Sequence, residues 1–443
     1  MSLKVVELND RAITVSDDGG ILLQSPGFAL VEGDTVHVGE SAQQLARLYP
    51  NQSYNKYWQE LNLEPISHGN NFRHYADIAY AHLLDLAESA GLDGDVILAV
   101  PGNFTRQQLA IVLGLCQQCP FKVVGVVDSA VAAVSLLEPP RTTIYADIQL
   151  HQVVLTRVSL NGNSLEAGTT IQIPGVGSQS FMDRMMRMAT DIFIQQCRFN
   201  PQHNATSEQQ LYNALPDWLT EVDDGNLILE LKAGDTLHTA KMPRDSLIAS
   251  LSGYFQKINE QIMALAQGHD AKLLITPALA SLPGFQSSVG LPCEVGAREA
   301  IHDACLQHRR EIESETGAMQ LVKSLLAPEF DAEGTAKVSD ADQPTHVLCR
   351  NRAVPLGGVE LVNLAAMNGS SAGASALQLT IEGLPAHLGR LKFANGRALF
   401  DSGEQEYTLN GESARGEKEL RLGDQIRFQG SDDELVLIRV DGV

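Results

Sequence analysis

Residues 95–134 read DVILAVPGNFTRQQLAIVLGLCQQCPFKVVGVVDSAVAAV. An apolar run, a Pro-Gly-Asn turn, a helical period, a second apolar run and a small-residue helix follow in that order. The pattern predicts two parallel strands joined by a right-handed crossover. Upstream the period changes to alternation. KVVELNDRAITV (4–15), a DDGG turn, ILLQSPGFALV (21–31), an EGD turn and TVHVG (35–39) read as an antiparallel meander. Helical periodicity appears at ESAQQLARLY (40–49) and FRHYADIAYAHLLDLAESA (72–90), where Phe72, Tyr75, Ile78, Ala79, His82, Leu83 and Leu86 make one stripe that Gly91 ends. On that stripe His82 reads as a core histidine with satisfied hydrogen bonds.

Downstream the same plan returns. RTTIYADIQL (141–150), HQVVLTRVSL (151–160) and SLEAGTTIQI (164–173), with NGN as a hairpin turn, form a second meander. The helix SFMDRMMRMATDIFIQQC (180–197) and the strand KLLITPAL (272–279) follow it. A meander with crossover units therefore occurs in 1–135 and again within 140–315, which gives an α/β fold with a duplicated plan. AMQLVKSLLA (318–327) reads as a helix, and PEFDAEGTAKVSDADQP (328–344) as an acidic linker. From 345 the chain turns to short strands with Gly-rich turns, which predicts a small all-β sandwich, with NGSSAGASA (368–376) as a mobile loop. The expected domains are 1–135, 136–315, a helix and linker over 316–344, and 345–443.

Length and charge bound the function. At 443 residues and 44% hydrophobic content the chain fills two or three cores. With 54 acidic against 32 basic residues the formal charge is −22, and no basic patch is concentrated anywhere, so nucleic-acid and anionic-membrane partners are excluded. No apolar run reaches the ~18 residues that cross a bilayer. The polar start MSLKVVELND lacks the apolar core of a secretory signal, and the expected compartment is the cytoplasm. The six cysteines make no disulfide framework. CQQC (116–119) has redox or half-zinc spacing but ends an amphipathic helix and has no second Cys/His pair.

Several stretches, in this order, resemble the seventy-kilodalton heat-shock chaperones of the actin, sugar-kinase and heat-shock ATPase superfamily. They are VGESAQQLARLYPNQSYNKYW (38–58), VILAVPGNFTRQQLAIVLGL (96–115), VVGVVDSAVAAV (123–134), IPGVGSQSFMDRMM (173–186) and LLITPALASLPGFQ (273–286). The resemblance covers residues 3–310 and implies a two-lobed actin-like ATPase fold with ATP and magnesium in the cleft. It also implies glycine hairpins, because only residues without Cβ let backbone N–H groups close around phosphates.

Those glycines are replaced here. In ELNDR, Glu7 stands where the family has an aspartate, and Asn9 and Asp10 replace glycine and a hydroxyl residue. In DIQLHQ, Asp147 survives while Gln149, Leu150 and His151 fill the phosphate space. Gly177 sits at the Gly-Gly-x-x-Phe-Asp helix start. Pro277 and Ala278 replace the paired glycines against which adenosine lies. Asp128 matches a glutamate that organises metal and water, and either Lys56 or Trp58 falls at the catalytic lysine. LYNALPDWLTEVDDG (211–225) lacks the adenine-clasping helix pattern. The candidates implied are Lys56 and Asp128 for catalysis, and Glu7 and Asp147 for metal.

In the tail, His387, Asp401, Asn410, Gly411, Gly423 and Asp424 match the order of a forkhead-associated domain, but Leu384, Pro385 and Ala386 occupy the region of its phosphothreonine-holding arginine and serine. These matches are mostly turn-formers. The reading is a non-enzymatic chaperone-like scaffold with a degenerate nucleotide cleft, working by protein–protein contact. The alternatives are an ATP-binding chaperone with weak ATPase, and an adaptor that binds a phosphoprotein through its tail module.

Overall fold

The computed structural model describes residues 3–33, 35–66, 72–137, 142–220, 225–266, 270–314, 319–327, 344–350, 352–356, 359–366, 376–381, 384–394, 397–431 and 433–440. Two compact units divide the chain, Met1–Pro328 and Glu329–Val443, and the boundary falls inside the stretch expected to be a linker.

Among the described residues the first unit holds two six-stranded sheets that share the order of five strands, the sixth lying at opposite edges. In one, Lys4–Glu7, Ile13–Asp17 and Gly20–Ser25 form an antiparallel meander. Asp95–Val100 pairs parallel to Lys4–Glu7, and Lys122–Asp128 pairs parallel beyond it. In the other, Thr142–Ile148, Gln152–Asn161 and Ser164–Pro174 form the meander, Ala271–Ile275 lies parallel to Thr142–Ile148, and Cys293–Val295 lies parallel beyond. The opening stretch supplies the crossover of the first sheet. Thr105 caps the helix Arg106–Cys116 by accepting from Gln108 N–H, and the Gln108 side chain returns to Thr105 N–H, so two end donors are satisfied reciprocally.

Besides a small cluster of Phe28, Leu30, Ala42 and Leu150, three larger apolar clusters fill this unit. One lies between the first sheet and the helices Tyr75–Ser89 and Arg106–Cys116, and includes Val6, Ile78, Leu86, Leu98 and Val112. Another packs the second sheet against the helices Ser178–Cys197 and Arg244–Ala266 through Ile144, Phe181, Phe193, Phe255 and Phe285. The third joins the sheets through Val5, Ile97, Val131, Tyr145, Leu274 and Leu325.

Residues 319–327, the described part of the expected helix, are not helical. Leu321–Val322 adds to the edge of the first sheet beside Lys122–Asp128, and Ser324–Leu326 adds to the edge of the second beside Ser164–Pro174. One short segment thus straps both sheets. Leu325 is 1% exposed and Leu326 is 56% exposed, a two-residue alternation that tertiary pairing imposes on residues whose own propensity is helical. The helix expected over 40–49 reduces to Glu40–Gln43 followed by turns. The strand expected over 21–31 breaks at Pro26-Gly27 into Gly20–Ser25 and Ala29–Glu32, which join different sheets. The break is forced where Gly27 N–H bonds Asp10 O at 2.7 Å, since a Cβ on Gly27 would meet that oxygen at 2.7 Å. An unanticipated hairpin, Asn226–Ala233 with Thr236–Pro243, packs its inward Leu227, Leu229, Leu231, Ala240 and Met242 into the second cluster.

Among the described residues of the second unit nine strands are linked into one all-β sheet. Its described pairs are antiparallel except Val359–Asn363 with Ala376–Leu379. Residues drawn from along the whole sheet, among them Val347, Leu361, Phe400, Ile426 and Leu437, share one core. Residues 368–375, most of the expected mobile loop, lie outside the described residues.

Candidate functional site

The first strands of the two sheets end side by side, and the loops that follow them meet. Asn9 stands at the centre. Its Nδ2 donates to both carboxylate oxygens of Asp147, at 2.9 and 2.8 Å, and lies 3.2 Å from Ile148 O. Asp10 Oδ1 accepts from Leu150 N–H at 2.8 Å. Gln149 and Asn103 exchange two carboxamide bonds at 3.2 Å, and His151 Nε2 lies 2.9 Å from Asn55 O. Each of these bonds joins the first half of the unit to the second. The residues expected to replace a phosphate cradle therefore each bond a residue of the opposite half.

The helix Ser178–Cys197 begins at the same place. Ser178 N–H donates to Gln149 O and Gln179 N–H to Leu150 O, both at 2.9 Å, so loop carbonyls occupy a helix terminus that otherwise attracts anions. Gly177 makes this approach possible. Its φ of −78° suits any residue, but a Cβ there would lie 2.3 Å from Gln152 N and 2.4 Å from His151 N.

Burial sets the protonation of the acids. Glu7, at the end of its strand and bordering a cavity, is pushed up to about 7 by desolvation. The Asp10 carboxyl rises to about 6 for the same reason, against the N–H groups of Leu150 and Arg11 that favour its charge. Asp147 is raised well above the carboxylate range, first by burial and then by Glu7, with Arg11 and Asn9 opposing. Arg11 is lowered by burial and by Arg298, while Asp147 holds its charge. Glu7, Asp147, Arg11 and Arg298 surround a cavity of about 270 Å³, which Thr276, Pro277 and Ala278 also line. Pro277 opens the short helix Pro277–Ala280, where its missing N–H leaves no donor unsatisfied. Among the described residues no group of three or more His, Cys, Asp or Glu side chains is arranged to hold a metal.

The other candidates lie apart from this knot. Asp128 caps the helix Ser129–Ser135 by accepting from Ala130 N–H at 2.9 Å; burial raises its pKa while that N–H, Lys323 and Val131 N–H lower it. Lys56 is exposed and pairs with Glu60 at 3.7 Å. Trp58 is buried and donates to His82 Nδ1 at 3.2 Å. His82 also bonds Tyr57 OH and Ser25 Oγ, and burial lowers it to about 3, so it is a neutral core imidazole. Burial pushes the Cys116 and Cys119 thiols up to about 12 and about 11, which leaves them protonated and unreactive at neutral pH.

Contacts above the knot were not legible in the sequence. Arg47 Nη2 bonds Asp183 at 2.5 Å, its backbone N–H donates to Gln209 Oε1 at 2.7 Å, and its guanidinium lies 5.1 Å from the Tyr212 ring centroid. Gln43 Nε2 reaches Tyr212 OH at 3.3 Å. In the tail, Asp401, Asn410 and Asp424 make turns: Asp401 accepts from Gly403 N–H, Asn410 bonds Asp424 and Gln425, and Asp424 accepts from Arg421 N–H. Asn410 and Gly411 take positive φ, as does Gly423. Leu384 O accepts from the buried Asn363 side chain, which holds this loop from inside.

No family model matches the chain, and no curated protein matches it. No described helix is long and apolar enough to cross a membrane.

Proposed function

We propose that this chain is a non-enzymatic, chaperone-like scaffold of the two-lobed actin-like plan, acting through protein–protein contact with its nucleotide groove closed by its own residues. The repeated strand order of the two sheets supports the plan. The observation that carries the reading is the Asn9–Asp147 and Asp10–Leu150 pairing across the groove. A polyphosphate would have to break these bonds and sit beside Glu7, Asp10 and Asp147. The bond to the charged Asp10 contributes about 1.5–3 kcal/mol and the two neutral bonds of Asn9 to Asp147 about 1 each, so losing them costs about 3.5–5 kcal/mol. At 1.4 kcal/mol per decade this weakens nucleotide about 10²- to 10⁴-fold. Closure at three levels, by Arg47 and Gln43 above, the knot between and the 321–326 strap at the sheet edges, supports a rigid body.

Mg-ATP titration of the full chain tests the proposal. Ligand at 100 times its Kd raises stability by about 2.7 kcal/mol, so a flat melting temperature at about 5 mM nucleotide is expected. Saturable stabilisation with turnover would replace the scaffold with a working ATPase.

A further inference from the structure

On the other side of the knot lies a second, larger cavity of about 520 Å³. Asp10, only 6% exposed, lines it, with Glu60 and Glu64 also on its walls. Leu8, Leu61 and Phe104 supply apolar surface, and Leu63, 59% exposed, lines it as well. Its polar walls are otherwise carboxamides and Thr105, and several of these amides are already committed: Gln149 to Asn103, and Gln108 Nε2 to Gln59 O at 2.9 Å. Among the described lining residues there is no lysine, arginine or histidine. The next residue, Arg11, lines the smaller cavity and interacts with Asp147 there. Lys56 meets Glu60 from outside.

The cavity therefore presents a deeply buried carboxylate without a cation of its own. An anion is repelled by three acidic groups. A neutral ligand leaves Asp10 held only by the backbone N–H groups of Leu150 and Arg11, whereas an ammonium adds the positive charge that those dipoles lack. The apolar walls suit methylene groups.

We propose that this cavity binds a primary ammonium group on a flexible aliphatic chain, with the ammonium on the Asp10 carboxylate and the methylenes along Leu61 and Phe104. A free polyamine and a lysine side chain carry the same chemistry. The site goes beyond the scaffold reading, though it shares Asp10 and Gln149 with the knot.

The test is calorimetry on the full chain at about 0.15 M salt, where non-specific attraction to the acidic surface is screened. Spermidine, Nα-acetyl-lysine amide and the neutral 1,5-pentanediol are titrated into the native protein, Asp10→Asn, and Asp18→Asn as an exposed control. Saturable binding of at least one amine, none of the diol, a tenfold or greater weakening in Asp10→Asn and no change in Asp18→Asn are expected. Spermidine alone binding identifies the free polyamine, and the lysine amide alone a lysine side chain. Should Asp10→Asn not fold, Leu63→Arg sets a cation at the edge of the cavity and weakens amine binding by the same factor. No saturable amine binding, equal affinity in a folded Asp10→Asn, undiminished affinity in Leu63→Arg, or diol binding as tight as amine would overturn the assignment.

Discussion

The pairing of Asn9 with Asp147 lends itself to a double-mutant cycle. In Asn9→Ala the bonds to the Asp147 carboxyl and Ile148 O are lost, together with the turn bond from Arg11 N–H to Asn9 Oδ1. Burial raises Asp147 well above the carboxylate range, so its bonds are neutral ones, and at about 1 kcal/mol for each of the four bonds a loss of about 3–4 kcal/mol is expected. Unfolding entropy of about 2.1 cal/mol/K per residue, summed over the unit Met1–Pro328, is about 0.7 kcal/mol/K, which converts that loss into a fall in melting temperature of about 5 °C. Asp147→Ala alone costs less, because it also removes a carboxyl whose burial beside Glu7 is unfavourable. The coupling between the two changes isolates their bond and should be about 2 kcal/mol by urea unfolding of the four proteins. A coupling below about 0.5 kcal/mol would refute the claim that this contact joins the two halves.

Four further outcomes follow from the same structure. Gly177→Ala, which drives a Cβ into the His151–Gln152 backbone, should cost about 3 kcal/mol or more in chemical unfolding, while Gly175→Ala, at φ 73° with open space around it, should cost about 1–2 kcal/mol from conformation alone. Leu325→Ala should cost about 2–4 kcal/mol and Leu326→Ala less than about 0.5, and equal costs would contradict the strand reading of the strap. Glu7 binds its proton more tightly folded, up to about 7, than unfolded near 4.5, so its contribution to stability is present below 4.5 and is lost as pH rises through 7; Glu7→Gln should therefore raise the melting temperature at pH 8 and not at pH 4. His82 has the opposite sign: lowered to about 3, it removes stability as pH falls below 6.5, and NMR should find its ring neutral at pH 5.

Much of the fold was legible because its signals are local. Alternation marked the meanders, the apolar runs of 95–134 marked the crossover, and Asn-Gly and Gly-Asp pairs marked the tail's turns. The segment 318–327 was not legible as a strand, because its leucines suit a helix until two sheet edges offer unpaired backbone. The hairpin 226–243 did carry a signal, alternating apolar residues around the turn Gly234-Asp235.

For the site the division is similar. The residue types alone determined that no glycine hairpin stands at either stretch, since Asn9 and Asp10 occupy one and Gln149, Leu150 and His151 the other. Only tertiary structure decided what those side chains do instead. Residues about 140 positions apart must meet before Asn9 finds Asp147 or Leu150 finds Asp10, and burial, which no local pattern encodes, then sets the charge on each acid.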